Sequence, residues 1–460
     1  MALGRRRTER QGELWVSADQ LPRSIGHAFY DKLNTLLLEA GFDRFVEDLC
    51  EPYYADSRGR PSIPPGTYFR MLMVGYFEGL DSQRGIAWRC ADSLSLRKFL
   101  GIAMGQQSPD HSTLSVIRGR LPEEVHVAIF QWVLSLARLK KLLNGRRVGV
   151  DSTMLEANAA MKSIVRKDTG DDWKQYIKTL MVEAGEITTE DDPSDDDLRK
   201  FDKNRRGKTV SNDDWVSETD SDARIAKMKD GTTHLAYKAE HAVDLDSNMI
   251  LAAEIYYADE ADTKTIEDTI NTAQVNLLAA GGGDIREVAA DKGYHSGEVI
   301  ETFAEETRYQ LYTPEKTLPE GRQRRWRPLT ASRQKALRNH QRRSRGDHGR
   351  ALQRQRSEIV ERTFAHTCET GGGRRSWLRG VVKVAKRHLM TAAAHNLGCL
   401  MRKLFGMGTP RGLQGFPVEL WGPHPALKTA LWCLTTLWVT QAMIGIAFPR
   451  RATHPALAAA

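Results

Sequence analysis

A chain of 460 residues has room for two or three domains, and its 67 Lys and Arg against 59 Asp and Glu leave a formal charge of +8, which suits a polyanionic partner. Five cysteines (Cys50, Cys90, Cys368, Cys399 and Cys433) are scattered, odd in number and without a CxxC pair, which argues against a disulfide scaffold and for free thiols in a reducing, cytoplasmic setting. Arg5-Arg6-Arg7, followed by Glu9 and Glu13 and no apolar run, does not read as a secretory signal.

Residues 1–143 read as a helical N-terminal domain. Phe29, Leu33, Leu36, Leu37 and Leu38 lie on one broad helical face. Pro61, Pro64 and Pro65 break the chain, and Pro65 can open the next helix, where its missing N–H is no loss. Tyr68, Met71, Leu72, Val74 and Tyr76 then suit a buried helix. Asp81-Ser82 caps a further helix, another runs near Ser93–Phe99, and Ser108-Pro109-Asp110-His111 caps the next, with Leu114, Val116 and Ile117 inside. Short helices with tight turns fit a helix-turn-helix-like module, with Arg84, Arg89, Arg97, Arg118 and Arg120 as candidate DNA contacts; simple packing or a dimer surface fits equally well. Residues 121–143 form an amphipathic helix striped by Val125, Ile129, Val133, Leu136 and Leu139.

From residue 144 the pattern changes to strands. Val148 and Val150 are stiff and favour a pleated strand, and Asp151 ends the apolar run, where an acid must be solvated, paired or bound to metal. A charged stretch over about 160–230 includes Asp191-Asp192-Pro193-Ser194-Asp195-Asp196-Asp197; like charges this dense repel, so it reads as a solvated insertion. Ala236–Val243 and Met249–Tyr257, joined at Asp246-Ser247-Asn248, read as a β-hairpin. A helix begins at Asp262 or Thr263 and ends at Gly281-Gly282-Gly283; no Lys-Ser/Thr follows, so that triplet terminates a helix and is not a phosphate loop. Glu287–Ala290 is a short strand with Asp291 at its end and a Gly turn after it; Ser296 caps the following helix, and Tyr309–Tyr312 is one more strand. The order β-β-β-α-β-α-β-α defines a mixed α/β domain over 144–405.

The stretch 320–356 is the most basic of the chain. It suits phosphates held by forks from Arg324 and Arg325, with Trp326 placed to stack on an unpaired base. Ile359, Val360 and Phe364 then have helical spacing and set Glu361 near the start of an apolar face. Gly371-Gly372-Gly373-Arg374-Arg375-Ser376-Trp377 reads as a second phosphate clamp, before a helix at 381–404. His366 with Cys368, or His395 with Cys399, lacks the second pair of a zinc site. In a hydrophobic tail at 406–460, Ala426–Phe448 approaches a membrane span in length, but Lys428, Thr435, Thr436, Thr440 and Gln441 interrupt it, and a span is not expected.

Asp151, Asp291 and Glu361, two after strands and one on a later helix, make the acid set of a two-metal phosphoryl-transfer site. Oxygen ligands suit Mg²⁺ and Mn²⁺, and two ions about 4 Å apart activate the attacking oxygen and stabilise the leaving one. Val-Asp-Ser-Thr at 150–153, Ala-Asp-Lys-Gly-Tyr at 290–294 and Val-Glu-Arg-Thr-Phe at 360–364 resemble the three acid motifs of insertion-sequence DDE transposases, nearest the eleven-eighty-two group of the four/five type. The spacing agrees, with 140 residues from Asp151 to Asp291 and 70 from Asp291 to Glu361, and the likeness runs over roughly residues 20 to 405.

The resemblance implies an RNase H-like catalytic domain holding two Mg²⁺ or Mn²⁺ ions, with Asp151 and Asp291 bridging both and Glu361 holding one. It implies cleavage and strand transfer at terminal repeats, target DNA as second substrate, a homodimer in the active complex, and a cytoplasmic, nucleoid-associated protein. Lys292 and Tyr294 would position the phosphate. The third motif departs from the pattern: many relatives place Arg four residues before the Glu and Lys seven after, where Ser357 and Cys368 stand here. Arg356 or Arg362, and Arg374 or Arg375, are the nearby substitutes, and Glu358 is the rival third acid on a neighbouring helix face. A non-transposing nuclease of the same fold, or an inactive relative that only binds DNA, is the alternative; cleavage without joining marks the first, and binding without nicking the second.

Overall fold

The computed structural model describes residues 26–55, 62–205, 211–228, 230–315 and 330–411; Arg324, Arg325, Trp326 and the segment 426–448 lie outside them. Local capping sets the N-terminal helices. α1 (Ala28–Glu39) passes to α2 (Phe42–Cys50) through Gly41, at φ 70°, a conformation that glycine takes without a Cβ clash. α3 (Pro65–Glu78) starts on Pro65 and buries Tyr68, Phe69, Met71, Met73, Val74 and Phe77. Ser82, Ser93 and Asp110 cap α4 (Gln83–Asp92), α5 (Leu94–Phe99) and α6 (His111–Arg120), and α7 (Glu123–Leu139) completes the region. Arg70 ties these helices together: it forks onto Asp43 at 3.0 and 2.8 Å and also donates to Asn34 and to the Phe99 carbonyl. Leu38 and Leu139, expected inside, are exposed near the last turns of α1 and α7.

β1 (Arg147–Glu156) opens the second region. The charged insertion after it is folded, not merely solvated. β2 (Ile164–Arg166) pairs with β3 (Trp215–Ser217), and α8 (Trp173–Glu183) packs with α9 (Asp195–Asn204) around a small separate core of Ile177, Met181 and Leu198. The Arg166 guanidinium lies over Tyr176 and Trp215. Asp195, Asp196 and Asp197 fill the first turn of α9 behind the Ser194 cap, where the helix dipole favours negative charge; composition alone cannot reveal that placement.

The main sheet adds β4 (Arg224–Lys227), β5 (Thr233–Asp244), β6 (Ile250–Tyr257), β7 (Glu287–Ala290) and β8 (Gln310–Tyr312). β5 runs antiparallel to β1 from Val148↔Asp244 to Glu156↔Ala236, and β7 runs parallel to it from Arg147↔Glu287 to Val150↔Ala290. With β6 paired to β5 and β8 parallel to β7, the order is β6-β5-β1-β7-β8, and β4 joins the early part of β5. α10 (Asp262–Ala279) and α11 (Gly297–Glu305) alternate with the later strands; α12 (Ala331–Arg345), α13 (Asp347–Phe364) and α14 (Val381–Phe405) follow. This is an α/β, RNase H-like mixed sheet preceded by a helical region. Two expectations need correcting. β1 continues five residues past Asp151, because β5 supplies backbone partners as far as Glu156, so the acid lies mid-strand. α13 begins at Asp347, which puts Glu361 in its last turn.

Histidines fill the space between the sheet and α13–α14. Thr363 donates its hydroxyl to the Val360 carbonyl, so its oxygen accepts from His241 Nδ1–H at 3.0 Å. His241 Nε2 must then accept from His388 Nε2–H at 2.8 Å, which sets both tautomers. Burial pushes His126, His340, His366 and His395 down to about 4 and His388 to about 3, and shifts His241 the same way. These rings stay neutral in the fold while the unfolded chain takes up protons below pH ~6.5. Burial raises Glu240 and Asp244, and Glu254 to about 7, which acts in the opposite sense on fewer groups. Stability is therefore expected to fall as pH drops from ~6.5 toward ~4, and urea midpoints at about pH 7.5, 5.5 and 4.5 measure it.

Candidate active site

The parallel register of β1 and β7 brings the two aspartates level. Val150 pairs with Ala290, so Asp151 and Asp291 follow side by side on strands roughly 4.8 Å apart. One guanidinium joins them: Arg356 on α13 donates Nη1 to Asp151 Oδ2 at 2.9 Å and lies 3.5 Å by Nη2 from Asp291 Oδ1. The Arg356 side chain is 8 % exposed, against 21 % for Asp151 and 42 % for Asp291, so the pair opens to solvent on the Asp291 side. The Ser152 N–H donates to Asp151 Oδ1 at 2.8 Å. Gly149 lets α13 approach this closely: a Cβ there would come within 2.8 Å of Val360 Cγ2 and 2.9 Å of Arg356 Cγ.

α13 reads the strand ends directly. Gln353 Nε2 donates to the Ala290 and Tyr312 carbonyls at 3.2 and 2.7 Å. Phe364 stacks on His241, the register partner of Asp151, with ring centroids 4.2 Å apart. Gln353, Arg356, Val360 and Phe364 therefore mark the helix face turned toward the two aspartates. At 3.6 residues per turn Glu361 lies roughly 95° from the middle of that face and Glu358 roughly 155°. Glu361 is exposed and accepts from Ser357 Oγ at 3.3 Å, whereas Glu358 pairs with Arg362 on the outer side. Among the described residues, no three His, Cys, Asp or Glu side chains converge as a metal cage. The level pair of carboxylates has the all-oxygen chemistry that Mg²⁺ and Mn²⁺ take, and the Arg356 guanidinium lies against both.

Behind the site, on the other face of the sheet, lies a buried polar network. Ser152 Oγ donates to Asp262 Oδ1 at 3.0 Å. Lys238 Nζ is 3.0 Å from Asp262 and 3.4 Å from Glu240, and donates to Thr265 Oγ1 at 2.8 Å. Thr265 Oγ1 and Tyr294 OH both donate to Glu240 Oε2, at 2.8 and 2.9 Å. The network fastens β1, β5, the start of α10 and the turn after Asp291 to one another. It also corrects one expectation: Tyr294 is buried and satisfied by Glu240, so it cannot meet a phosphate at the surface, and burial raises its pKa.

The other expected DNA contacts divide. Lys292 is exposed beside Asp291. Arg362 is taken up by Glu358 and Arg374 by Glu369, while Arg375 stays 62 % exposed with Glu156 at 3.5 Å. The glycine-rich loop is tied to the far end of β1, since Glu156 N–H donates to the Arg374 carbonyl and Ser376 N–H to the Glu156 carbonyl. Arg387 holds this loop from inside, stacked on Trp377 and bonded to the Gly372 and Arg375 carbonyls. In the N-terminal region Arg89 pairs with Glu78, Arg97 holds the Ala103 and Gln106 carbonyls, and Arg120 lies over Tyr54. The sequence reading did not find Gln353, His241, or the Ser152-Asp262-Lys238-Glu240 network. The available signal was Lys238, Glu240 and His241 inside an apolar strand, where charge is costly unless partnered.

An RNase H-like mixed sheet with two aspartates side by side, one in β1 and one just after β7, is the arrangement of a DDE-type protein. Comparison with family models agrees: residues 19–120 match the family described as Transposase domain (DUF772), and residues 197–397 match the Transposase DDE domain. The chain belongs to the insertion-sequence DDE transposases. The second match takes in Asp291 and Glu361 and begins after Asp151. No curated protein and no solved structure matches the chain. Among the described residues no helix is long and apolar enough to cross a membrane.

Proposed function

We propose that the chain is an active transposase of the eleven-eighty-two group. It would cut DNA at the ends of its element and join the freed 3′-hydroxyl to target DNA, with Asp151, Asp291 and Glu361 as metal ligands. The observation that carries this reading is the level pairing of Asp151 and Asp291 about one guanidinium. Two Mg²⁺ or Mn²⁺ ions, when bound, supply Lewis acidity and charge neutralisation at the phosphate. Asp151, steadied by the Ser152 N–H, and Asp291 would hold them, with Glu361, which accepts from Ser357 Oγ, as the third ligand. Lys292, Arg375 and the exposed cations of α12–α13, Arg338, Arg342, Arg350 and Arg354, grip the DNA backbone. A homodimer on the bacterial nucleoid, one copy for each end, completes the reading.

The test uses the full chain, duplexes carrying the element's own ends, a plasmid target, and Mg²⁺ or Mn²⁺. The expected products are nicked ends followed by ends joined to plasmid. Cleavage that never proceeds to joining points to a non-transposing nuclease, and binding without nicking points to an inactive DNA-binding relative; either outcome contradicts the proposal.

A further inference from the structure

We infer that Arg356 is an exchangeable counter-ion: it holds Asp151 and Asp291 together before divalent ions arrive, and it must leave that pair for the ions to load. The inference rests on the reading of the two aspartates as metal ligands. Two carboxylates level on neighbouring strands repel unless a cation lies between them. Here that cation is a side chain on a separate helix, reaching across Gly149. An ion held by both aspartates needs the space this guanidinium occupies, so metal binding is an exchange.

A second arginine in the same molecule shows what a purely structural one looks like. Arg70 is equally buried, forks onto one carboxylate with two short bonds, gives two more bonds to Asn34 and the Phe99 carbonyl, and lies over the Phe99 ring. Arg356 has no such fork. It gives one nitrogen to each aspartate, at 2.9 and 3.5 Å, and its buried Nε has no partner. It neutralises the pair without being locked to it.

The exchange has a consequence for control. Apparent metal affinity is the intrinsic affinity multiplied by the fraction of molecules whose aspartates are free of the guanidinium. DNA offers a released Arg356 a phosphate partner, so DNA binding and metal binding favour one another, and by linkage each raises the affinity of the other equally. Without DNA the arginine lowers the apparent metal affinity of the site but does not abolish binding.

The experiment measures Mn²⁺ binding by the full chain without DNA, from the paramagnetic signal of free Mn²⁺, in wild type, R356Q, R356K and D151A. R356Q is expected to bind Mn²⁺ on the order of tenfold more tightly than wild type. Its thermal midpoint should be lower in metal-free buffer and rise further on adding Mn²⁺. R356K, which keeps the charge but not the span, should fall between, and decides the matter if R356Q does not fold. Unchanged or weaker Mn²⁺ binding by the folded variant means that Arg356 only supports the site, and overturns the inference. If D151A binds Mn²⁺ as wild type does, the metal-ligand reading itself fails and the inference fails with it.

Discussion

Asp151→Asn and Asp291→Asn are each expected to lower Mg²⁺-dependent nicking of element-end DNA by on the order of 10³-fold or more, with DNA affinity changed only a few-fold. Each substitution keeps the side-chain shape and removes one of the two charges that meet about Arg356. DNA affinity comes mainly from cations along the phosphate track, and neither aspartate belongs to it. Glu361→Gln should show the same loss, while Glu358→Gln, whose partner is Arg362 on the outer face of α13, should stay close to wild type. Single-turnover nicking with gel-shift titrations measures both quantities. Near-normal nicking by either aspartate variant would remove the basis of the assignment.

Lys238→Met is expected to give the largest loss of stability of any single change near the site, about 3–5 kcal/mol, because it leaves Glu240 buried without its counter-charge. Lys238 also holds Asp262 and Thr265, so the same change unfastens Ser152 on β1 and the start of α10. The double variant K238M/E240L should recover much of the loss, since an apolar pair of similar volume leaves no buried charge. Tyr294→Phe should cost less, about 1–2 kcal/mol, as it removes one neutral donor from Glu240. Urea denaturation of the four proteins checks the series; equal losses in K238M and the double variant would show that the buried charge is not the cause.

What could be read from the chain before its structure depended on distance along it. Caps at Ser82, Asp110 and Ser296 and the start at Pro65 are local events, since their partners lie within a few residues. Each acid motif is likewise a contiguous run of residues, and the structure sets the first two, at Asp151 and Asp291, side by side. The errors fall where a remote partner decides. β1 outlasts Asp151 because β5, more than eighty residues on, pairs with it to Glu156. Tyr294 looks like a surface group in its motif and is drawn inside by Glu240, 54 residues earlier. The aspartates of the run at 191–197 are exposed, as their charge density implies, but the capped helix they enter is held by a small core whose Ile177 and Met181 come from α8. Arg356 was one of several equivalent cations until α13 was seen to cross β1 at Gly149.

The most direct measurement is the anomalous scattering of manganese in crystals of the full chain bound to its element-end DNA. The account predicts two ions held by Asp151 and Asp291, one of them also touching Glu361, with the Arg356 guanidinium moved off the pair. Manganese absent from those two aspartates while DNA lies in the cleft would contradict it.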